Sequence, residues 1–127
     1  MSLQPVYPDE SALKVAELTK RFTDFYSANC ASNLAEQLYS EMQKFDSNLD
    51  TEHEVGGKLV SFGESITFHV SGISYRNPSL IIFYGFTENG EPVKLMQNVS
   101  QISLLLIRLP KLKPEKPKRK IGFIQNN

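Results

Sequence analysis

Cys30 and His69 are the side chains with the clearest potential for covalent chemistry. A thiol enzyme needs its cysteine and histidine close in space, with a third group that orients the imidazole. With one cysteine and two histidines in the chain, such a pair arises by chance in many non-catalytic proteins. We therefore expect structural roles for both residues and no catalytic residue.

The serines and glycines also lack the patterns typical of a catalytic site. Ser100 and Ser103 lie outside a nucleophile elbow of the form GxSxG. The seven glycines form neither a phosphate-binding loop nor a dinucleotide fingerprint. The sequence therefore predicts a protein that is not an enzyme.

His53 lies among acidic residues, Asp50, Glu52 and Glu54, which together suggest a loose cation site. Their spacing matches no recognised zinc or calcium pattern. A solvated acidic loop is the favoured interpretation, and we predict no metal and no cofactor.

Aromatic residues with nearby arginines favour binding over catalysis. A ring can stack on a nucleobase while a guanidinium bonds the phosphate. The alternative is that the rings form the core, which is favoured for most of them, with Tyr75 and Tyr84 as the expected exceptions. The aromatic residues concerned are Phe62, Phe68, Tyr75, Phe83, Tyr84 and Phe86. The predicted ligand-binding residues are Tyr75, Arg76, Tyr84, Arg108 and His69.

The zero net charge conceals a basic segment. Residues 108–120 hold seven basic residues and one acidic residue, a balance of +6, so the rest of the chain carries −6. Such a segment either binds an anionic partner or lies against its own body or that of a neighbour. Because three prolines stiffen it and the two charges cancel, we favour the second, and we consider nucleic acid an unlikely partner.

Two amphipathic helices are predicted before the sheet. The first begins near Asp9, and its apolar residues recur at spacings of three and four: Val15, Leu18, Phe22 and Phe25. This narrow stripe either covers the subunit's own sheet or forms a seam between subunits, which is the reason for predicting a homo-oligomer. After a break at residues 29–32, Asn33 and Glu36 predict a capping-box start for a second helix. Its apolar face comprises Leu34, Leu38, Met42, Phe45 and Leu49.

Residues 58–97 predict a four-stranded antiparallel meander, with strands at 58–62, 66–75, 80–86 and 91–97. Gly72 predicts a bulge, and residues 50–57 predict a mobile loop. Residues 98–109 fit either a helix or a strand, and we choose a C-terminal helix stopped by Pro110. The apolar residues 121–124 are expected to dock back on the domain, with an edge strand as one form.

The expected fold class is thus α+β, with two N-terminal helices, a four- to five-stranded antiparallel meander and a C-terminal helix. We divide the chain into a flexible lead-in (1–8), one domain (9–109) and a basic tail (110–127). No apolar run reaches the roughly 20 residues that span a bilayer. No signal peptide is apparent and the cysteine is single, so we expect a cytoplasmic protein.

Several short runs carry a family resemblance: NLAEQLY (33–39), LVSFG (59–63), TFHV (67–70), FYG (83–85), GEPVKLMQNVSQISLLL (90–106) and KIGF (120–123). In this order and spacing they resemble a family of small bacterial proteins of unknown function, over about residues 33–124. The resemblance implies a common fold and supplies no activity or site residues.

These observations favour a non-enzymatic, oligomeric binding module that captures a small anionic, nucleotide-like ligand. A phage protein that sequesters an immune signal would fit this size and composition, as an analogy of class. The alternative is a protein-protein adaptor or inhibitor that uses the basic tail against an acidic partner.

Overall fold

The computed structural model describes residues 10–61 and 64–124. Within these ranges the chain forms α1 (Glu10–Asn29), α2 (Ala31–Ser47), β1 (His53–Ser61), β2 (Glu64–Arg76), β3 (Leu80–Phe86), β4 (Pro92–Asn98), β5 (Leu105–Pro110) and β6 (Gly122–Phe123). A single 3-10 turn, Val99–Gln101, joins β4 to β5. The architecture is α+β, as predicted, whereas the lead-in (1–8) and Phe62 lie outside the described residues.

The two helices meet at Cys30 and together resemble one bent helix. The start predicted for α2 at Asn33 is wrong, because the helix begins at Ala31. The turn between β2 and β3 satisfies its first amides: Ala31 N–H donates to Pro78 O (2.8 Å), and Ser32 N–H donates to Asn77 Oδ1 (2.9 Å). A capping group distant in sequence thus sets where the helix begins.

The sheet has the strand order β4-β3-β2-β1-β5, and neighbours along this path are antiparallel. The predicted meander is confirmed for β1 to β4, and the bulge predicted at Gly72 is confirmed by a register shift between Val70 and Gly72. β2 pairs with β1 through its first half and with β3 through its second half.

β1 begins at His53, so the mobile loop predicted for residues 50–57 is wrong from His53 onwards. The reason is pairing on both edges of this segment. His53–Lys58 pair with Leu105–Pro110 of β5, and Gly56 and the residues after it pair with β2. Tertiary hydrogen bonding therefore overrides the weak strand preference of glycine and acidic residues.

The predicted C-terminal helix at 98–109 is also wrong. The helical part ends after one turn, which the Asn98 side chain caps by accepting from Ser100 N–H at 3.0 Å. The chain then extends into β5, since an open edge of β1 is available to pair with it. The strand interpretation of this apolar run is the correct one.

The core lies between α2 and one face of the sheet. Met42 of α2 packs into the same cluster as Phe68, Ile73, Ile81 and Phe83. The predicted face of α2 is confirmed, with Leu34, Leu38, Phe45 and Leu49 packed against that cluster.

The end of the chain returns to this core. Ile121 is buried in it, and β6 runs parallel to β2, with Gly122 beside Gly72 and Phe123 beside Ile73. The Phe123 ring contacts Tyr39 and Tyr75, with centroid separations of 5.5 and 6.0 Å. The basic segment between β5 and β6 is therefore held at both ends.

Candidate functional site

The basic segment 111–120 is held against the body of the domain. Lys111 N–H donates to Glu52 O at 3.1 Å, and Leu112 N–H donates to Glu54 Oε1 at 3.0 Å. Lys118 Nζ lies 3.0 Å from the Asp46 carboxylate and also donates to the backbone oxygens of Asp46 and Asp50. Asp46 lies in the last turn of α2, where the helix dipole favours a cation.

Glu54 links this segment to the sheet. Its Oε1 lies 2.7 Å from Nδ1 of His69, and the side chains of Glu54 and His69 are only 15% and 7% exposed. Both point to the face of the sheet opposite α2, because Val55 and Phe68, which alternate with them, belong to the core. One oxygen of the Glu54 carboxylate is thus hydrogen-bonded both to a ring nitrogen of His69 in β2 and to a backbone amide of the tail.

A cleft of ≈ 290 Å³ opens above this carboxylate. Cationic side chains dominate its lining, with Glu54 as the acidic residue among them. The lining residues are Glu54, Lys111, Leu112, Lys113, Lys116, Pro117, Lys118 and Arg119. We call this the lysine cleft.

The cations of the lysine cleft differ in what they already bind. Lys111 Nζ donates to Lys116 O at 2.8 Å, and Lys118 is paired with Asp46. Lys113 and Lys116 form no ion pair with a carboxylate in the described part of the chain. These two ammonium groups are the ones with the most hydrogen-bonding capacity left for an incoming anion.

A second cleft of ≈ 230 Å³ adjoins the first and shares Leu112, Lys113 and Arg119 with it. The tip of the β3–β4 hairpin and Phe86 supply its other walls. The Arg119 guanidinium lies 4.3 Å from the centre of the Phe86 ring, a cation–π contact. We call this the Phe86 cleft, and together the two clefts offer positive charge next to an aromatic surface.

The residues predicted to bind a ligand do not come together in one place. Tyr75 lies on the core side of β2 against Phe123, while Tyr84 lies on the other face of the sheet. The Tyr84 hydroxyl is 3.0 Å from Ser74 Oγ, and Lys94 Nζ is 5.3 Å from its ring centre. Of the two tyrosines predicted to lie outside the core, Tyr84 does so, whereas the prediction is wrong for Tyr75, which packs against the core cluster.

The two predicted arginines lie apart from His69. Arg76 ends β2, where Nη1 donates to Tyr75 O at 2.8 Å, and it is seven residues along the strand from His69, roughly 23 Å. Arg108 lies on β5, two strands from the β2 strand that carries His69, and pairs in register with Val55 of β1. Of the predicted residues, His69 is the one whose partner, Glu54, lines the lysine cleft.

Cys30 and His69 have different partners. Cys30 Sγ lies 3.0 Å from Ser32 Oγ at the junction of the helices, and this hydrogen bond lowers the pKa of the thiol below its ordinary value. His69 is instead held by Glu54 in the middle of the sheet. No group of three His, Cys, Asp or Glu side chains in residues 10–61 and 64–124 is placed to hold a metal ion.

His53 makes a hydrogen bond with Asp50, between Nδ1 and Oδ1, at 2.6 Å. This bond is the main cause that lowers the pKa of the Asp50 carboxyl below its ordinary value, and Arg108 contributes in the same direction. The acidic residues around His53 therefore close the turn into β1, and Glu52 N–H also donates to Asp50 Oδ1 at 2.9 Å.

The Asp50 carboxyl gives a pH-dependent contribution to stability. Because its pKa is lower in the folded chain than in the unfolded chain, the contribution is fully present above the unfolded value of about 3.9. It is lost as the pH falls through the folded pKa. We expect Asp50→Asn to reduce the free energy of unfolding at pH 7, and the difference from wild type to shrink below about pH 4. Urea unfolding between pH 3 and 7 measures this, with Glu88→Gln at the exposed hairpin tip as the control. A difference that is constant with pH would contradict it.

The lysine cleft was only partly visible in the sequence. The run of cations interrupted by prolines identified a basic segment that could lie against its own body. For Glu54, the group that accepts a hydrogen bond from that segment, the sequence pattern predicts only a place in an acidic loop. Its role depends on the β1–β2 register, which brings it beside His69.

The comparisons with known proteins bear on the fold rather than on the site. A family model described as a family of unknown function, DUF6173, matches residues 23–124. The chain belongs to this family. The match confirms the predicted membership of a family of unknown function and begins ten residues earlier than the resemblance seen in the short sequence runs, within α1.

The DUF6173 family model covers both clefts but only the last part of α1. Neither the curated proteins nor the solved structures gave a match. Within the described residues, no helix is long and apolar enough to cross a membrane.

Proposed function

We propose that this DUF6173 protein is a non-enzymatic, homo-oligomeric binding module that holds a small nucleotide-like anion in the lysine and Phe86 clefts. The observation that carries the proposal is the docked basic segment. It places the side chains of Lys113 and Lys116, neither of them paired with a carboxylate in the described chain, at one cleft. A phosphate group is the anion that such a set of flexible ammonium donors suits best.

The Phe86 cleft extends the proposal from phosphate to nucleotide. Its aromatic ring and the Arg119 guanidinium supply flat surfaces on which a base can stack. Asn89, at the hairpin tip, supplies an amide that can bond the edge of a base. Lys113 and Arg119 border both clefts. One ligand can therefore occupy the two clefts together, with its phosphate near the lysines of the lysine cleft.

Binding without turnover is the second part of the proposal. The Glu54–His69 pair has the composition of a general base and its orienting acid, but Glu54 also accepts from the Leu112 amide. This shared use favours a role in holding the tail in place. Sequestration of a nucleotide signal is a function that needs only such a site.

The proposal predicts that a nucleotide stabilises the protein and that reversing two charges removes the effect. A ligand at about 100 times its dissociation constant adds about 2.7 kcal/mol, or roughly 10 °C in Tm for a chain of this size. We expect this shift with a member of a panel of mononucleotides, cyclic dinucleotides, pyrophosphate and inorganic phosphate. The double variant Lys113→Glu/Lys116→Glu should lose it. Differential scanning fluorimetry followed by calorimetric titration measures both.

Two controls locate the site. Lys20→Glu, on exposed α1, reverses a charge away from the clefts and should keep the shift. Arg76→Ala should also keep it. If Arg76→Ala or Arg108→Ala removes the shift while the lysine variant retains it, the ligand binds at the residues predicted from sequence and the cleft assignment is wrong. If no compound in the panel stabilises the wild type, the binding proposal fails.

The alternative function, an adaptor or inhibitor for an acidic protein, is supported by the same exposed lysines of the tail. Truncation of residues 111–127 is unsuitable as its test, since it would also remove Ile121 from the core and β6 from the sheet. Capture of a partner by the wild type and not by Lys113→Glu/Lys116→Glu, combined with indifference to the nucleotide panel, would favour the adaptor.

A further inference from the structure

α1 carries its apolar stripe on the outside of the molecule. All residues of α1 from Glu10 to Tyr26 are exposed, and the stripe residues are as exposed as the polar ones. The exposed fractions are 63% for Val15, 63% for Leu18, 74% for Phe22 and 68% for Phe25. Large apolar side chains in a continuous exposed row mark an interaction surface.

The spacing of the stripe identifies the geometry of that interaction. Val15 and Phe22 occupy position a of a heptad, and Leu18 and Phe25 occupy position d. α1 has 20 residues and extends about 30 Å. Most of the stability of an amphipathic helix in a protein comes from packing of its apolar face rather than from helix propensity, so packing against another helix would stabilise α1.

The residues that flank the stripe indicate the partner of α1 and the relative orientation of the two helices. Lys14 and Arg21 occupy position g, while Thr19 and Tyr26 occupy position e and carry no charge. In a parallel pair, position g faces position e of the other helix, so Arg21 meets Tyr26 of the second copy, a cation–π arrangement. In an antiparallel pair, position g faces position g, so Arg21 would meet Arg21 of the second copy and the contact with Tyr26 would be absent.

The charges on α1 also favour a second copy over an acidic partner. Glu10 lies 3.5 Å from Lys14, and Glu17 lies 3.1 Å from Arg21, each four residues earlier on the same helix. The two cations that flank the stripe are thus compensated within their own helix. A copy of this chain offers a matching stripe without adding uncompensated charge.

We propose that two copies of this chain associate through α1 as a parallel, in-register pair of helices, with Val15, Leu18, Phe22 and Phe25 at the seam. This inference deepens the homo-oligomer of the proposed function and does not depend on its ligand. The seam lies mostly before residue 23, where the DUF6173 match begins.

The mass of the ligand-free protein in solution tests the association. We expect twice 14.4 kDa for the wild type by light scattering or native mass spectrometry. Phe22→Glu should give the monomer mass, with the dissociation constant raised at least about 100-fold because one ring is lost from each copy. Lys20→Glu, at outward-facing position f, should remain a dimer. A monomeric wild type, or a dimer that survives Phe22→Glu, would overturn the proposal.

Cross-linking tests the orientation. In a Cys30→Ser background, Val15→Cys places the two thiols opposite each other in a parallel pair, within the roughly 6 Å that a disulfide spans. In an antiparallel pair, Val15 faces Phe25 of the second copy, and the two thiols lie about 15 Å apart along the helices. We expect a disulfide-linked dimer on mild oxidation. Its absence, with cross-linking instead between Val15→Cys and Phe25→Cys chains, would show that the parallel arrangement is wrong.

The result of the α1 dimer test can be distinguished from the result of the nucleotide-binding test. Because α1 packs outside the sheet and clefts, Phe22→Glu should keep the far-UV circular dichroism of the sheet and any stabilisation by a nucleotide. A dimer that no nucleotide stabilises would support the α1 pair and contradict the ligand. A monomer that a nucleotide stabilises would do the reverse.

Discussion

Replacing Glu54 by alanine is expected to lower the free energy of unfolding by about 2–4 kcal/mol. The substitution leaves two donors without their acceptor, Nδ1 of His69 and the Leu112 amide. Each buried donor left unsatisfied costs about 1–3 kcal/mol, and the more accessible Leu112 amide falls at the lower end because water can reach it. Urea unfolding of the wild type and the variant measures the difference.

Glu52→Ala is the matched control for this effect. Glu52 is exposed, two residues away, and the contacts shown for it use its backbone, which the variant keeps. We expect it to change stability by less than about 0.5 kcal/mol. Glu54→Gln should lie between the two, since its amide oxygen can still accept both hydrogen bonds but lacks the negative charge that strengthens them. Equal losses for Glu52→Ala and Glu54→Ala would show that the carboxylate does not hold the structure together.

The same variant tests how far the tail depends on the sheet. If Glu54 fixes the start of the basic segment, hydrogen exchange of the Leu112 amide should accelerate more than that of β6, which β2 holds independently. Nucleotide binding should weaken with it, because the lysines would no longer be held at one cleft. A Glu54→Ala protein with unchanged exchange at Leu112 would contradict this role.

The parts of the fold that could be predicted from sequence are those decided by local pattern. β3 matches its predicted bounds because an apolar run is closed by Pro78 on one side and by Glu88, Asn89 and Gly90 on the other. Gly90 has a positive φ of 83°, which the hairpin turn requires. The face of α2 was predictable for the same reason, since its spacing is long and regular.

The parts that could not be predicted are those decided by distant partners. The apolar run at 102–109 suits a helix face and a buried strand equally. The choice depends on β1 having an edge open at His53–Lys58. β1 is itself fixed in the sheet by pairing with β2 on its other side. Neither fact has a local signal in residues 98–109.

In the candidate site too, features set by local sequence pattern could be predicted and features set by distant partners could not. Charge and proline content located the basic segment, while pairing of His69 with Glu54 depends on strand register and was missed. The predicted set of Tyr75, Arg76, Tyr84, Arg108 and His69 combines residues of the sheet with two arginines expected near it. Alternation along β2 separates Tyr75 from Arg76, and the bulge before Gly72 shifts which residues lie beside β3.

Gly85→Ala is the second substitution expected to have a large effect. A Cβ at Gly85 would lie 2.3 Å from the backbone oxygen of His69 and 2.6 Å from the Phe68 ring. A backbone oxygen within a paired strand cannot move without breaking the β2–β3 ladder. We expect a loss of about 3 kcal/mol or more in the free energy of unfolding, the upper end for overpacked sites. Chemical denaturation measures it.

Gly56→Ala separates this explanation from simple crowding. A Cβ at Gly56 would also approach to 2.3 Å, but its neighbour is Cδ1 of Leu109, the end of a side chain that can change rotamer. We expect a loss of about 1 kcal/mol there, and almost none for Gly122→Ala, where the nearest atom is 3.9 Å away. If Gly56→Ala and Gly85→Ala cost the same, the rigidity of the neighbouring atom is not what determines the effect. The expected order of the three variants therefore follows from what each new methyl group would displace, and not from the distance alone.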